Sequence, residues 1–118
     1  MSKVIKLKDT NRIYGTSYHN ATVRASMAEL EKKFGVKNIG ESWDGKTSME
    51  LNLEVDDIAF TIYDWKENNP TEFDVLDFHI GTKTAEESKM VVAILRSDYG
   101  LNANYTSWEE LAKKWGLK

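Results

Sequence analysis

Apolar and polar residues alternate strictly between Met49 and Val55, which is the clearest pattern along the chain. The apolar positions are Met49, Leu51, Leu53 and Val55, and the polar positions between them are Glu50, Asn52 and Glu54. Because successive side chains of a strand point to opposite faces, this pattern predicts a half-buried strand. Asp56 and Asp57 then predict a tight turn. The apolar run from Ile58 to Trp65 predicts a second strand, which completes a β-hairpin.

Two further apolar runs have the length of strands. Val75 to Ile80 predicts a third strand that ends at Gly81, and the polar segment Lys66 to Glu72 before it, which contains Pro70, predicts a loop. Near the N-terminus, Val4 to Leu7 lies between lysines, which predicts a short strand at a sheet edge.

Between these strands the spacing changes to that of a helix. From Ala21 onward the apolar residues Val23, Met27, Leu30 and Phe34 recur at intervals of three and four, which predicts one apolar helical face. Asn20 or Ser17 is expected to cap its N-terminus, and Gly35 to end it. The segment that follows, up to Ser48, predicts irregular structure with a brief strand near Val36 to Ile39.

The C-terminal third predicts two more helices. Thr84 and Glu87 form a capping-box motif, and the helix that follows is expected to bury Met90, Val91, Ile94 and Leu95 and to end near Gly100. Ser107 or Thr106 is expected to cap a short helix that ends at Gly116, with an apolar stripe of Trp108, Leu111, Ala112 and Trp115.

These elements predict one α+β domain spanning residues 1–118. The order is a helix, then a β-meander, then helices, which favours an antiparallel three- to four-stranded sheet with helices on one face over a doubly wound parallel sheet. A chain of 118 residues is long enough to bury one core but not two.

The strand period also assigns the two faces of the predicted sheet. The core face is expected to hold Ile58, Phe60, Ile62, Leu76, Phe78 and Ile80, and the outer face Glu50, Asn52, Glu54, Thr61, Tyr63, Trp65, Asp77 and His79. An outer face that combines aromatic rings, carboxylates and a histidine has two interpretations. It packs against a loop, a short helix or a second copy, or it binds a flat ligand or a partner.

Charge and composition exclude several classes of function. The 16 basic residues are interspersed with 19 acidic ones, for a net charge of −3, so the chain lacks the basic stripe that nonspecific nucleic-acid binding requires. It has no cysteine, which excludes disulfides, thiolate catalysis and iron–sulfur sites. No apolar run approaches the roughly 18 residues of a membrane span, and we expect a cytoplasmic protein with no membrane partner.

Catalytic and metal motifs are weak. Asp77 and His79 lie two residues apart on one predicted face, as a base and its orienting carboxylate would, but no nucleophile elbow accompanies them. His19 and His79 have no recognised metal spacing. We therefore expect a protein that is not an enzyme and carries no metal or cofactor. A small hydrolase built on His79 and Asp77 ranks third among the functions considered.

The segment before the predicted first helix suggests an anion site. The N-terminus of a helix presents unpaired amides, and this one would be surrounded by Thr16, Ser17, Tyr18, His19 and Arg24. Phosphate binding there and an ordinary capped helix start are both compatible with these residues. No glycine–lysine pair of the Walker type is present.

Four segments together resemble a family of small bacteriophage proteins. They are Gly15 to Tyr18, Leu30 to Gly35, the run Ile62-Tyr63-Asp64-Trp65-Lys66 within Phe60 to Lys66, and Phe78-His79-Ile80-Gly81; the resemblance covers roughly residues 13–95. It implies a phage origin and, as for many small acidic phage proteins, action against host defences.

The function expected from this combination is sequestration of a small nucleotide immune signal by a homo-oligomer in the host cytoplasm. The ligand-binding residues would be Thr16, Ser17, Tyr18, His19, Arg24, Tyr63, Trp65, Asp77 and His79. The alternative is a protein–protein inhibitor of a host defence enzyme, such as a CRISPR effector.

Overall fold

The computed structural model describes residues 2–40, 48–65 and 70–116, and within them the chain forms an α+β fold with one six-stranded antiparallel sheet. The strands are β1 Ile5–Lys6, β2 Ser17–Ser26, β3 Glu50–Val55, β4 Ile58–Tyr63, β5 Val75–Thr82 and β6 Asn102–Tyr105. The helices are α1 Met27–Phe34, α2 Ala85–Ser97 and α3 Trp108–Trp115, and a 3₁₀ turn covers Thr10–Ile13. The strand order across the sheet is β1-β3-β4-β5-β2-β6.

The predicted hairpin and edge strand are confirmed. β3 and β4 pair with Leu53 opposite Phe60, and β1 lies at the sheet edge beside β3. Asp56 and Asp57 both have positive φ, 47° and 67°, which is the combination of a type I′ turn. Aspartate tolerates this left-handed region better than most residues, so the turn forms without glycine.

The core lies on one face of the sheet and is covered by α1 and α2. Phe60 and Phe78 are its largest fully buried side chains, and Leu30 of α1 and Leu95 of α2 belong to the same cluster. The predicted core residues Ile58, Phe60, Ile62, Phe78 and Ile80 are all buried, and Leu76 packs against the cluster from its margin. The sheet therefore has an apolar core face and a separate outer face.

The prediction of a helix from Ala21 is wrong over its first half, since Ser17–Ser26 is strand β2, which lies between β5 and β6 in the sheet. Ala21, Val23 and Ala25 are buried in the core, at the period of a strand. Small alanines hid this alternation, whereas the larger Val23 and Met27 happened to fit helical spacing. The true helix start is marked by a capping motif: the Ser26 hydroxyl accepts the Glu29 amide at 3.2 Å.

The predicted strand number is also wrong, because the sheet gains β2 and the edge strand β6. β6 has the sequence Asn102-Ala103-Asn104-Tyr105, and asparagine is depleted in strands, so its composition gave little signal. Its partner is β2, with Ala103 opposite Val23. The brief strand predicted near Val36 to Ile39 is wrong, since these residues have no regular secondary structure.

The other helix boundaries agree closely with the sequence. Thr84 accepts the Glu87 amide at 3.1 Å, while the Glu87 carboxylate accepts from Lys83 at 3.2 Å. α2 buries Val91 and Leu95, with Ile94 at the margin of the core. The prediction that Met90 is buried is wrong, since it is mostly exposed and Val92 occupies the core instead. Ser107 caps α3, and Gly116 ends it in the left-handed conformation.

Two segments between the elements lie partly outside the described residues. The predicted loop Lys66 to Glu72 lies partly outside the described residues, and its described part, residues 70–72, forms no strand. Much of the irregular segment before the hairpin, residues 41–47, also lies outside them. Across the described part of the chain, none of the helices has the length and apolar character needed to cross a bilayer.

Candidate functional site

The outer face of the sheet is divided into a covered part and an accessible part. The 3₁₀ turn packs over β4, and it is fixed there by Arg12, which bonds Glu54 at 3.0 Å and the Asp57 carbonyl at 2.6 Å. Ala59 and Thr61, which point to this face, are both buried. Farther along, at the C-terminal end of β4 and the middle of β5, the face holds a group of aromatic side chains that the turn does not bury.

This group, the ring cluster, consists of Tyr18, Tyr63, Trp65 and His79. The His79 ring is nearly parallel to Tyr18, with centroids 4.1 Å apart and planes at 17°, and to Trp65, at 6.1 Å and 18°. Tyr63 contacts His79 and Trp65 edge-on, at centroid distances of 5.5 and 6.2 Å. Four residues from three segments of the sequence thus form one connected set of rings in which His79 contacts the other three, in the stacked and edge-on geometries that aromatic pairs prefer.

The register of β2 explains how Tyr18 reaches this cluster. Tyr18 pairs with Gly81 and Thr22 with His79, so residues 19–21 of β2 oppose the single residue 80 of β5. Asn20 has φ +66° within this irregular segment, as a residue of a β-bulge often does. Both Tyr18 and Thr22 therefore face outward. Because Gly81 has no side chain, the Tyr18 ring can extend past it and contact His79.

Gly81 is the one position where this arrangement requires the absence of a side chain. A Cβ built there would lie 2.7 Å from the Thr61 hydroxyl and 3.5 Å from Tyr63 Cε1. Thr61 is buried, so it has little room to move. Gly81 therefore lies directly against the Tyr63 ring of the cluster.

We expect the substitution Gly81→Ala to destabilise the protein by about 1–3 kcal/mol, the usual cost of inserting a methyl group into a packed site. Urea unfolding followed by circular dichroism would measure the change. Gly40→Ala serves as a control in a loop, where the added Cβ would meet nothing within 4 Å, although its φ of +86° adds backbone strain. If Gly81→Ala leaves the unfolding midpoint unchanged, the close contact with Thr61 has been misjudged.

The ring cluster is uncharged near neutral pH. Burial lowers the pKa of His79, and burial raises the pKa of Tyr18. Burial, with smaller contributions from Tyr18 and Glu50, raises the pKa of Tyr63. Glu50 pairs with Tyr63 across the hairpin, and burial raises the pKa of its carboxyl. The cluster therefore presents neutral rings with one adjacent carboxylate.

The lowered pKa of His79 predicts a loss of stability in mild acid. The folded state holds His79 neutral, whereas the unfolded chain takes up a proton at the ordinary pKa of 6.5. The stabilisation is complete above pH 6.5 and is lost as the pH falls through the lower pKa of the folded state. Glu50 acts in the opposite direction, because its raised pKa favours the folded state on acidification.

A comparison of two proteins isolates the His79 contribution. We expect the free energy of unfolding to fall less between pH 7.5 and pH 5.5 (roughly the range in which an ordinary histidine titrates) for His79→Gln than for the unsubstituted chain. Chemical denaturation at both pH values measures this difference. Equal losses in the two proteins would show that His79 is not desolvated in the cluster.

The remaining predicted site residues on this face form an ion pair instead of a catalytic dyad. Arg24 and Asp77 are opposite each other on β2 and β5, and their side chains are joined at 3.0 Å. The Asp77 carboxylate thus engages Arg24, while His79 lies among the rings. The arrangement of a base and orienting carboxylate suggested by the sequence is absent in these two residues.

The predicted phosphate site at a helix N-terminus is wrong, because Ser17 to Ser26 is a strand and α1 begins only at Met27. The Thr16 hydroxyl donates to the Ile13 carbonyl at 2.7 Å, and Ser17 contacts His19 Nε2 at 3.2 Å. Thr16, Ser17 and His19 therefore engage neighbours in their own segment. Of that predicted group, Tyr18 alone makes a ring contact with the cluster.

Other parts of the described structure offer weaker sites. Two open cavities of about 620 Å³ are lined by Lys6 with the α1 C-terminus and by residues 5–8, and neither includes a ring of the cluster. In the described ranges no three histidine, cysteine or acidic residues converge as metal ligands would. The ring cluster is the best-defined grouping of recognition side chains on the described surface.

Two members of this site were not among the residues selected from the sequence. Glu50 lies beside Tyr63, and Gly81 pairs with Tyr18 and lies against Thr61 and Tyr63. The strand period had already placed Glu50 on the outer face, so the distance to Tyr63 was the missing information. Gly81 had been interpreted as the end of a strand, whereas β5 continues to Thr82.

Comparison of the chain with protein-family models, with curated proteins and with solved structures finds no match. Function is therefore inferred from the geometry of the outer face.

Proposed function

We propose that the chain is a binding protein without catalytic activity and that its ring cluster stacks the planar base of a small nucleotide-derived ligand. The single observation that carries this proposal is the near-parallel alignment of Tyr18, His79 and Trp65 on an accessible sheet face. Stacking of a base on an aromatic side chain contributes about 1–3 kcal/mol and tolerates different bases. One such contact gives part of the roughly 8 kcal/mol that micromolar affinity requires.

The ligand adds another layer to rings that are already aligned. Tyr18 is 41% exposed and Trp65 is also exposed, whereas His79 is half-buried between β2 and β4. Because His79 is neutral, it stacks as an aromatic ring without repelling a cationic ligand edge. The base accordingly lies against the exposed face of Tyr18 or Trp65, with His79 fixing the orientation of both.

Charge determines which part of the ligand faces the protein. Glu50 is the carboxylate beside the rings, and it accepts a hydrogen bond from an exocyclic amino group such as that of adenine or guanine. Arg24 is already paired with Asp77 at 3.0 Å. The helix-terminal anion site expected from the sequence does not exist, so the phosphate groups point toward solvent and contribute less than the base.

The biological setting is proposed from the resemblance to small phage proteins. In that setting the protein sequesters a nucleotide immune signal in the infected cell, and binding alone suffices. Isothermal titration calorimetry with cyclic nucleotides and ADP-ribose derivatives tests the proposal. We expect at least one adenine- or guanine-containing compound to bind at micromolar concentration; no heat of binding from any member of the panel would refute it.

A second candidate is a protein–protein inhibitor of a host defence enzyme. It is favoured by Val75, an exposed apolar residue at the far end of the same outer face, beyond the Arg24–Asp77 pair. A protein partner would cover this whole length, whereas a nucleotide would cover only the rings. Pull-down from host lysate distinguishes the two: a stoichiometric protein partner supports inhibition, and a small molecule released from heat-treated purified protein supports sequestration.

A further inference from the structure

Helix α3, Trp108–Trp115, is the last element of the described chain. Among the residues whose side chains the structure describes, the core cluster and the side chains packed against it include members of α1 and α2 but none of residues 109–115 of α3. Leu111 and Ala112 are only half-buried, and Trp115 is 58% exposed. Helices as short as eight residues are marginal in water unless they pack against another surface. An additional packing surface for α3 is therefore expected.

The polar residues of α3 specify what that surface is. Glu109 and Glu110 occupy the first turn, and Lys113 and Lys114 occupy the last. Two copies of this helix laid antiparallel place each acidic turn beside a basic turn, whereas two parallel copies oppose like charges. The helix dipoles also favour the antiparallel arrangement. The charge pattern is thus complementary to itself after a two-fold rotation.

We propose that α3 is the contact surface between two copies of this chain, packed antiparallel about a two-fold axis. Such an interface is isologous, so Leu111 of one copy faces Ala112 of the other, and Trp115 covers the neighbouring first turn. The helix is only about 12 Å long, at 1.5 Å per residue. The contact is smaller than a standard interface, and the dimer dissociates in the micromolar range.

Sedimentation velocity from about 10 µM to about 1 mM protein tests the proposal. We expect a concentration-dependent monomer–dimer equilibrium, and Trp115→Ala should raise its dissociation constant at least about tenfold, as loss of a large aromatic contact from a small interface can. Trp65→Ala, on the outer face of the sheet, is the matched control and should leave the constant unchanged. A chain that stays monomeric at the highest concentration overturns the proposal. A dimer disrupted by Trp65→Ala but not by Trp115→Ala overturns it as well.

Charge reversal then tests the complementarity itself. The double variant E109K/E110K has a helix with only basic charges, and K113E/K114E one with only acidic charges. Each variant alone should sediment as a monomer, and an equimolar mixture should form a heterodimer. If either variant alone dimerises like the unsubstituted chain, or if the mixture stays monomeric, the antiparallel pairing of α3 is wrong.

Discussion

Replacing Phe78 with alanine should lower the free energy of unfolding by about 3–5 kcal/mol, the largest loss expected for any single substitution considered. Phe78 is fully buried in β5, where it pairs with Val23 of β2 and belongs to the cluster that α1 and α2 cover. Truncation removes its apolar area and leaves a cavity that the rigid sheet cannot close. Many domains of this size have a free energy of unfolding of only about 5–15 kcal/mol, so the substitution would remove a large share of the stability.

The matched control is Phe73→Ala, five residues earlier in the chain. Phe73 is 74% exposed, so its truncation should change stability by about 0.5 kcal/mol or less. Equilibrium unfolding in urea, with identical slopes for the compared proteins, measures both effects. Comparable losses for the two phenylalanines would contradict the assignment of the core face.

The second large effect concerns ligand affinity. Tyr18→Ala should raise the dissociation constant of a base-containing ligand by roughly 5- to 150-fold, which corresponds to the loss of about 1–3 kcal/mol of stacking. Tyr18 contributes an exposed ring and also contacts His79 at 4.1 Å, so its removal eliminates one layer and disorders the next. Calorimetric titration of the purified variant measures the change.

Tyr14→Ala provides the control for this experiment. Tyr14 is another tyrosine four residues earlier, is 75% exposed, and contacts no ring of the cluster. Its substitution should leave the dissociation constant unchanged within error. Equal weakening by both substitutions would indicate a general loss of structure, and unchanged affinity in Tyr18→Ala would place the ligand elsewhere.

The strands with strong alternation were predictable from the sequence, and those with small or polar residues were not. In β3 and β5, large apolar residues recur at every second position, so their faces and most of their length could be predicted. In β2 the buried positions are held partly by Ala21 and Ala25, whose weak signal was outweighed by the helical spacing of Val23 and Met27. β6 has only Ala103 buried between asparagines, so its composition does not indicate a strand. It forms a strand because it pairs with β2.

The residues of the candidate site also divide into those whose position the sequence predicts and those whose position it does not. The strand period placed Tyr63, Trp65 and His79 together on the outer face, because they belong to strands that pair directly or to the residues that follow them. Tyr18 was selected for a helix start that does not exist, and it reaches His79 only through the irregular register of β2 opposite Gly81. Such a shift depends on hydrogen bonding between distant segments. For the same reason, the pairing of Asp77 with Arg24 could not be predicted.

The central claim is that the ring cluster itself holds the base of a ligand. Intermolecular nuclear Overhauser effects between the base protons of a bound nucleotide and the protein test it most directly. The geometry predicts contacts from those protons to the exposed ring of Tyr18 or Trp65, with upfield shifts of the base resonances from stacking. Contacts confined to other surfaces, such as the cavity beside Lys6, would contradict the account.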